Sequence, residues 1–212
     1  MADVIAGVAI PDSTLARSAT EMIRDTTNEL IYHHSRRVFL FGSLQSQRLG
    51  IEPDPELLYV AALFHDTGLV EPYRTSHQRF EMDGADAAVD FLVSQKHSAA
   101  EAHTVWTAIA LHTTPQVPYK MDPVVAATTA GVETDVLGVH LDAIGGAHLA
   151  AVTSAHPRPN FKAEILRAFA DGFATRPDTT FGTVNADVLR HFDPSFEPID
   201  FVSLINESGW AE

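Results

Sequence analysis

The chain is expected to fold as an all-α helical bundle, on three observations. Helix-start signals precede several apolar runs, and apolar residues recur three and four positions apart. The two-residue alternation of strands is weak throughout. Pro and Gly punctuate the chain at intervals suited to about seven or eight helices, with no fixed-period repeat, low-complexity tract or long linker. At 212 residues there is enough chain for one domain with a proper core.

The elements follow in order. Asp12 or Ser13 can cap a first helix whose inner face would carry Leu15, Ala19, Met22 and Ile23. A second runs from about Ile31 to Arg48 and stops near Gly50. The segment DPELL starts a third, with Asp54 as cap, Pro55 at the first helical position and Glu56 in the first turn. In HSAAE, Ser98 and Glu101 form a capping box ahead of AHTVWTAIALH. Asp122 and Pro123 open a further helix, and NFKAEILRAFADGFA forms the last, ending near Arg176-Pro177.

Composition narrows the chemistry. There is no cysteine, so disulfides, thiolate nucleophiles, iron–sulfur clusters and cysteine-held zinc are excluded. A metal could only be held by His, Asp or Glu. The formal charge of −14 repels phosphate backbones, which makes nucleic acid an unsuitable partner and a small-molecule substrate a better one. No window approaches the roughly 18 apolar residues of a membrane span, and no basic stretch followed by an apolar block opens the chain, so a cytoplasmic protein is expected. The apolar tail FVSLINESGW would pack on its own domain or on a second copy in a homodimer.

The helix from Pro55 is apolar nearly all round, so it is expected to be central. At its end stands LFHDTGL. His65 continues the stripe of Leu57 and Ala61; Asp66 continues that of Leu58 and Ala62. His34 shares a face with Val38, Phe41 and Gln45, Asp135 with Val125, Thr128 and Val132, and His112 with Val105 and Ile109. Taken singly, each has a plainer explanation. His34 could be a hydrogen-bonded core histidine, His65-Asp66 a helix stop before Thr67-Gly68, and Asp135 a cap. Together, inward-facing imidazoles and carboxylates from several helices are costly to bury unless a divalent ion satisfies them.

This pattern resembles the HD-domain superfamily of metal-dependent hydrolases, whose members share a helical domain and a His…His-Asp…Asp metal site. His34 stands in HSRRV, which matches the H-x-x-R-V lead-in; His65-Asp66 is the paired motif, and Asp135 lies in ETDVLG. RRVFLFGSL, ALFHDTGL, RFEMDGADAAVDFL, LHTT, ETDVLGV and HPRPNFKAEIL together resemble the cyanamide hydratase branch. The likeness runs from about Asp12 to Pro177. It leaves 178–212 as an extension packing on the core of a single domain over 1–212. It implies His34, His65, Asp66 and Asp135 as ligands of one divalent metal, with His112 and Thr134 lining the pocket.

Such a donor set prefers zinc and admits Fe, Mn, Co or Ni. The resemblance implies that a metal-bound hydroxide attacks a small substrate, with cyanamide hydrated to urea as the leading case. His112 is the candidate proton shuttle, and Thr134 would hydrogen-bond the bound water or substrate. The plainer alternatives are a core histidine and a helix threonine bonded to its own backbone. Phe64, Leu69, Val70 and Phe80 form either a small apolar pocket or plain core. Glu81 and Asp83 would cap a helix, Arg37 would brace a carboxylate, and Arg36 would face solvent.

The competing reading is an HD phosphohydrolase acting on a nucleotide or small phosphomonoester. Leu69 stands where many such proteins carry a lysine for phosphate, and only Arg74, Arg79 and Lys120 remain as nearby cations. A two-metal variant would draw on His77, His97, His103 or His112. A third reading is a non-catalytic, metal-stabilised binding module.

Overall fold

The computed structural model describes residues 3–74 and 77–210. It is all-α but for one small hairpin, in which β1 (Val4–Ile5) and β2 (Val8–Ala9) pair antiparallel through a turn at Ala6 and Gly7, both at positive φ. Two-residue strands are too short to show alternation, so the sequence pattern gave no sign of them.

Ten α-helices follow among the described residues, more than the seven or eight expected. They are α1 (Thr14–Thr26), α2 (Glu29–Leu49), α3 (Pro55–Phe64), α4 (Phe80–Ser94) and α5 (Ala99–Leu111), then α6 (Pro123–Leu137), α7 (Gly146–Ala155), α8 (Phe161–Phe173), α9 (Asn185–Phe192) and α10 (Phe201–Asn206).

Caps explain the boundaries. Ser13 rather than Asp12 caps α1, its hydroxyl accepting from the Ala16 N–H. Asn28 accepts from the Ile31 N–H and starts α2 two residues before the expected Ile31. Gly50, at φ 66°, ends it in the left-handed conformation that glycine adopts without strain. Asp54 accepts from the N–H groups of Glu56 and Leu57, and Asp122 from that of Val124. The Ser98–Glu101 capping box is complete. On α1, Leu15, Ala19 and Ile23 are buried as expected, whereas Met22 is exposed.

Helix α3 is the centre: every residue from Leu57 to Phe64 is buried. Helices α2 and α6 cross beside it at unusually close range. A Cβ on Gly131 would lie 2.2 Å from the Val38 carbonyl oxygen, and one on Gly42 would lie 2.6 Å from that of Ala127. Only two glycines let the backbones come that near. This contact brings the start of α2 against the end of α6, the two places that carry His34 and Asp135.

A second apolar cluster, including Ile31, Leu69, Phe80, Phe161, Phe173 and Leu189, seats α8 and α9 against the beginning of α2 and the turn after α3. Leu189 of α9 is buried there, whereas Phe201, Val202, Leu204 and Ile205 of α10 are all exposed. Arg36, expected at the surface, is buried and donates to the Tyr59 hydroxyl.

Candidate metal centre

Three elements meet at the polar cluster. His34 projects from the second turn of α2. His65 terminates α3, and Asp66 follows at φ −106°, ψ 6°, where the chain leaves the helix for a 3₁₀ turn over Thr67–Leu69. That exit turn is packed hard under α4. A Cβ on Gly68 would lie 2.0 Å from the Phe80 carbonyl oxygen, and one on Gly84 would lie 2.8 Å from that of Phe64. Arg176 donates to the Gly68 carbonyl and to Asp83, tying the turn to the end of α8.

The geometry is that of a cation cage. His34 Nε2 lies 3.1 Å from His65 Nε2, and Asp66 Oδ2 lies 3.4 Å from each. Bonds of about 2.0–2.2 Å to a tetrahedral ion put ligand atoms roughly 3.3–3.6 Å apart. His34, His65 and Asp66 form a group of donor atoms able to hold an ion.

Proton bookkeeping makes the same point independently. His65 Nδ1 sits 2.8 Å from the Ala62 carbonyl and His112 Nδ1 sits 2.6 Å from that of Ile109. His34 Nδ1 sits 2.7 Å from Asp135 Oδ2. Carbonyls and carboxylates accept only, so each Nδ1 carries the hydrogen and each neutral ring turns a bare Nε2 lone pair inward. Two lone pairs 3.1 Å apart repel unless something positive lies between them. Asp66 is fully buried, yet neither of its oxygens accepts a hydrogen bond, and His112 Nε2, 3.5 Å from Asp66 Oδ1, is equally unsatisfied. Orphaned buried groups of this kind are rare. A divalent ion fits them.

The electrostatics agree. Burial pushes the His34 imidazole down, against the pull of Asp135, toward the neutral form a metal requires. Burial would raise the Asp66 carboxyl; only positive charge facing it, on the His65, His112 and His34 rings when protonated or on an ion between the neutral rings, holds it well below the usual carboxylate range.

Asp135 occupies a different place from the one expected. Expected as the fourth ligand, it lies outside the group of His34, His65 and Asp66 and stands behind His34. Its Oδ2 takes the His34 Nδ1–H, Arg37 donates from Nε to Oδ1 at 2.8 Å and from Nη2 to Oδ2 at 2.9 Å, and Arg158 Nε lies 3.1 Å from Oδ1. Arg37 therefore braces a carboxylate as expected. Arg158 had no assigned role, because its partner lies 23 residues away and no periodicity links them. Phe161 packs between the two guanidinium groups and against His34.

Thr134, expected in the pocket, has its hydroxyl bonded elsewhere. Its hydroxyl donates to the Val139 carbonyl at 3.0 Å and accepts from Gln45 Nε2 at 3.1 Å, so it serves the C-terminal cap of α6 and is consumed there. One residue from Asp135, it points about 100° away around the helix. His112, by contrast, sits in the cluster, with its ring edge-on to those of His65 and Phe80. Phe64, Leu69 and Phe80 are core; Val70 is half-buried beside them. Glu81 and Asp83 sit in the first turn of α4, and Glu81 accepts from Arg79, Thr113 and Asn185.

A cavity of about 180 Å³ opens against His34, Asp66 and His112. Its apolar wall is Pro115, Val132, Val136, Leu137, Phe169 and Val184; Thr113 and Glu133 are its other polar members. No Lys or Arg lines it among the described residues. Phe169 and Val184 come from α8 and the start of α9, too far along the chain for any local signal to tie them to the site.

Residues 31–136 match the HD domain family, half of the chain. The chain belongs to that family, within a superfamily of metal-dependent hydrolases. The match begins in the first turn of α2 and ends just after Asp135, spanning the whole cluster. No curated protein matches the sequence.

Proposed function

We propose that this chain is a metal-dependent hydratase or hydrolase of small uncharged molecules, with cyanamide-type nitriles, converted to urea, as the leading substrate. The cavity carries the reading. It is small and mostly apolar, and among the described residues no Lys or Arg lines it, so it would suit a neutral molecule and would offer a phosphate dianion no cation beyond the metal itself. The sequence likeness to the cyanamide hydratase branch and the leucine at position 69 point the same way.

His34, His65 and Asp66 would hold the ion, zinc by preference. Asp135 would fix the ring of His34 in the correct tautomer, with Arg37 and Arg158 fixing Asp135 in turn. A divalent ion supplies Lewis acidity and acidifies a coordinated water. His112, with its hydrogen committed at Nδ1, would take up and return a proton at Nε2 on the cavity side. The apolar wall would limit entry to substrates of a few heavy atoms and keep bulk water out.

The test is a coupled assay on purified, metal-analysed protein, with cyanamide and small nitriles run beside a panel of phosphomonoesters. Urea formed from cyanamide is the expected result; phosphate release without any hydration would overturn the reading. His65→Ala and Asp66→Ala should lose bound metal altogether. Asp135→Asn should keep it with affinity weakened about 10–100-fold, the usual cost of losing an orienting partner. Complete loss in Asp135→Asn would instead put that carboxylate among the ligands.

A further inference from the structure

Apart from Asp66, Glu133 is the one carboxylate in the cavity wall among the described residues. It belongs to the same stretch of α6 as Val132, Val136 and Leu137, which supply apolar wall on either side of it. Its Oε2 accepts a hydrogen bond from the Tyr119 hydroxyl, which reaches in from the 3₁₀ turn over Val117–Lys120. Burial and the neighbouring carboxylate both push the Tyr119 phenol up, so it stays a donor. Oε1 accepts nothing from the described residues, and no Lys or Arg among them pairs with Glu133. Glu133 is half-buried, so water can serve that oxygen until a ligand covers it; a ligand that fills the space beside the apolar wall must then offer a hydrogen-bond donor in its place.

We propose that Glu133, held in place by Tyr119, is the specificity residue of this site and accepts an N–H from an amino group on the substrate. The inference rests on the function proposed above and narrows it: among molecules of equal size, the site selects one bearing –NH2 over one bearing –CH3. Cyanamide and acetonitrile form such a pair, as do urea and acetone. In the methyl compounds the carboxylate oxygen would lose water and gain nothing, the arrangement by which sites reject isosteres most strongly.

Binding gives a test that does not depend on turnover. The zinc-loaded full chain is titrated calorimetrically with urea and with acetone, and the wild type should prefer urea by at least about tenfold, the scale of one hydrogen bond to a charged acceptor. Glu133→Leu should bring that preference below about threefold while zinc content stays at the wild-type level. Glu133→Gln, which keeps the shape and an acceptor oxygen, should fall between the two, so a misfolded leucine variant would not leave the matter open. With cyanamide as substrate, the same variants should raise KM far more than they lower kcat. An unchanged urea-to-acetone preference in both variants overturns the proposal. Failure of the hydratase reading looks different: wild-type protein makes no urea from cyanamide, yet still prefers urea to acetone.

Discussion

Thr134 and Asp135 are neighbours in the chain with unlike duties. The hydroxyl of Thr134 is spent on Gln45 and on the Val139 carbonyl. Replacing it with the isosteric valine leaves the Val139 carbonyl without its donor and Gln45 with only the His140 carbonyl, which costs about 1–3 kcal/mol. Thr134→Val should therefore lower the melting temperature while metal content, measured by mass spectrometry, stays at the wild-type level; a loss of metal would return Thr134 to the site. The residues that the sequence showed best are those whose burial is costly. His34, His65, Asp66 and His112 stood out because each interrupts an apolar stripe, and the structure brings all four together. Thr134 and Asp135 were harder, since a stripe fixes the direction of a side chain but not what meets it. Arg36 was misplaced for a related reason: its partner, Tyr59, lies on another helix, and a charge beside an apolar face looks solvent-bound until that partner is known.

At the scale of elements, the crossing of α2 and α6 sets the distance between His34 and Asp135. Gly131 and Gly42 make it possible, and a methyl at either position collides with backbone rather than with a yielding side chain. Gly131→Ala should cost about 3 kcal/mol or more, at the upper end for overpacking. It should also weaken metal binding, because prising the helices apart pulls Asp135 off the His34 ring. Paired denaturation and metal-affinity measurements on this variant check both parts; a stable variant with intact affinity would show the crossing to be dispensable. Helices α1, α2, α3, α5 and α6, all legible in the sequence, each begin at a side-chain cap, whereas α8 was legible from its helical period alone. Helices α4 and α7 have none, starting from Arg79 and Gly145, and so gave no start signal to find.

For the whole molecule, acid should be destabilising in a defined window. His156 lies at the end of α7, its Nδ1 3.1 Å from that of His33, with Arg36 and Arg37 close by. Burial first, then the charges of Arg36, His33 and Arg37, push its imidazole down to about 3. It stays neutral in the folded chain while the unfolded chain takes up a proton below about 6.5. Stability is therefore lost as pH falls through 6.5 toward 3, by up to about 1.4 kcal/mol per pH unit from this group. His156→Phe should flatten the fall in melting temperature between pH 7 and 5; an unchanged slope would assign that loss to other groups. The global arrangement was only partly legible. Helical period identified the all-α class, but the docking of α8 and α9 depends on Phe161, Phe173 and Leu189 meeting Ile31 and Leu69 from far along the chain.

That docking divides the labour of the molecule between two stretches of chain. Residues 31–136 carry every side chain of the cage, while Phe169 and Val184, outside that span, close the far side of the cavity. The cage and the far wall of its chamber are therefore set largely by different stretches of chain. Substitutions at Phe169 and Val184 are a direct route to new substrates, since they reshape the chamber while Phe161, on the same helix as Phe169, keeps its place against His34.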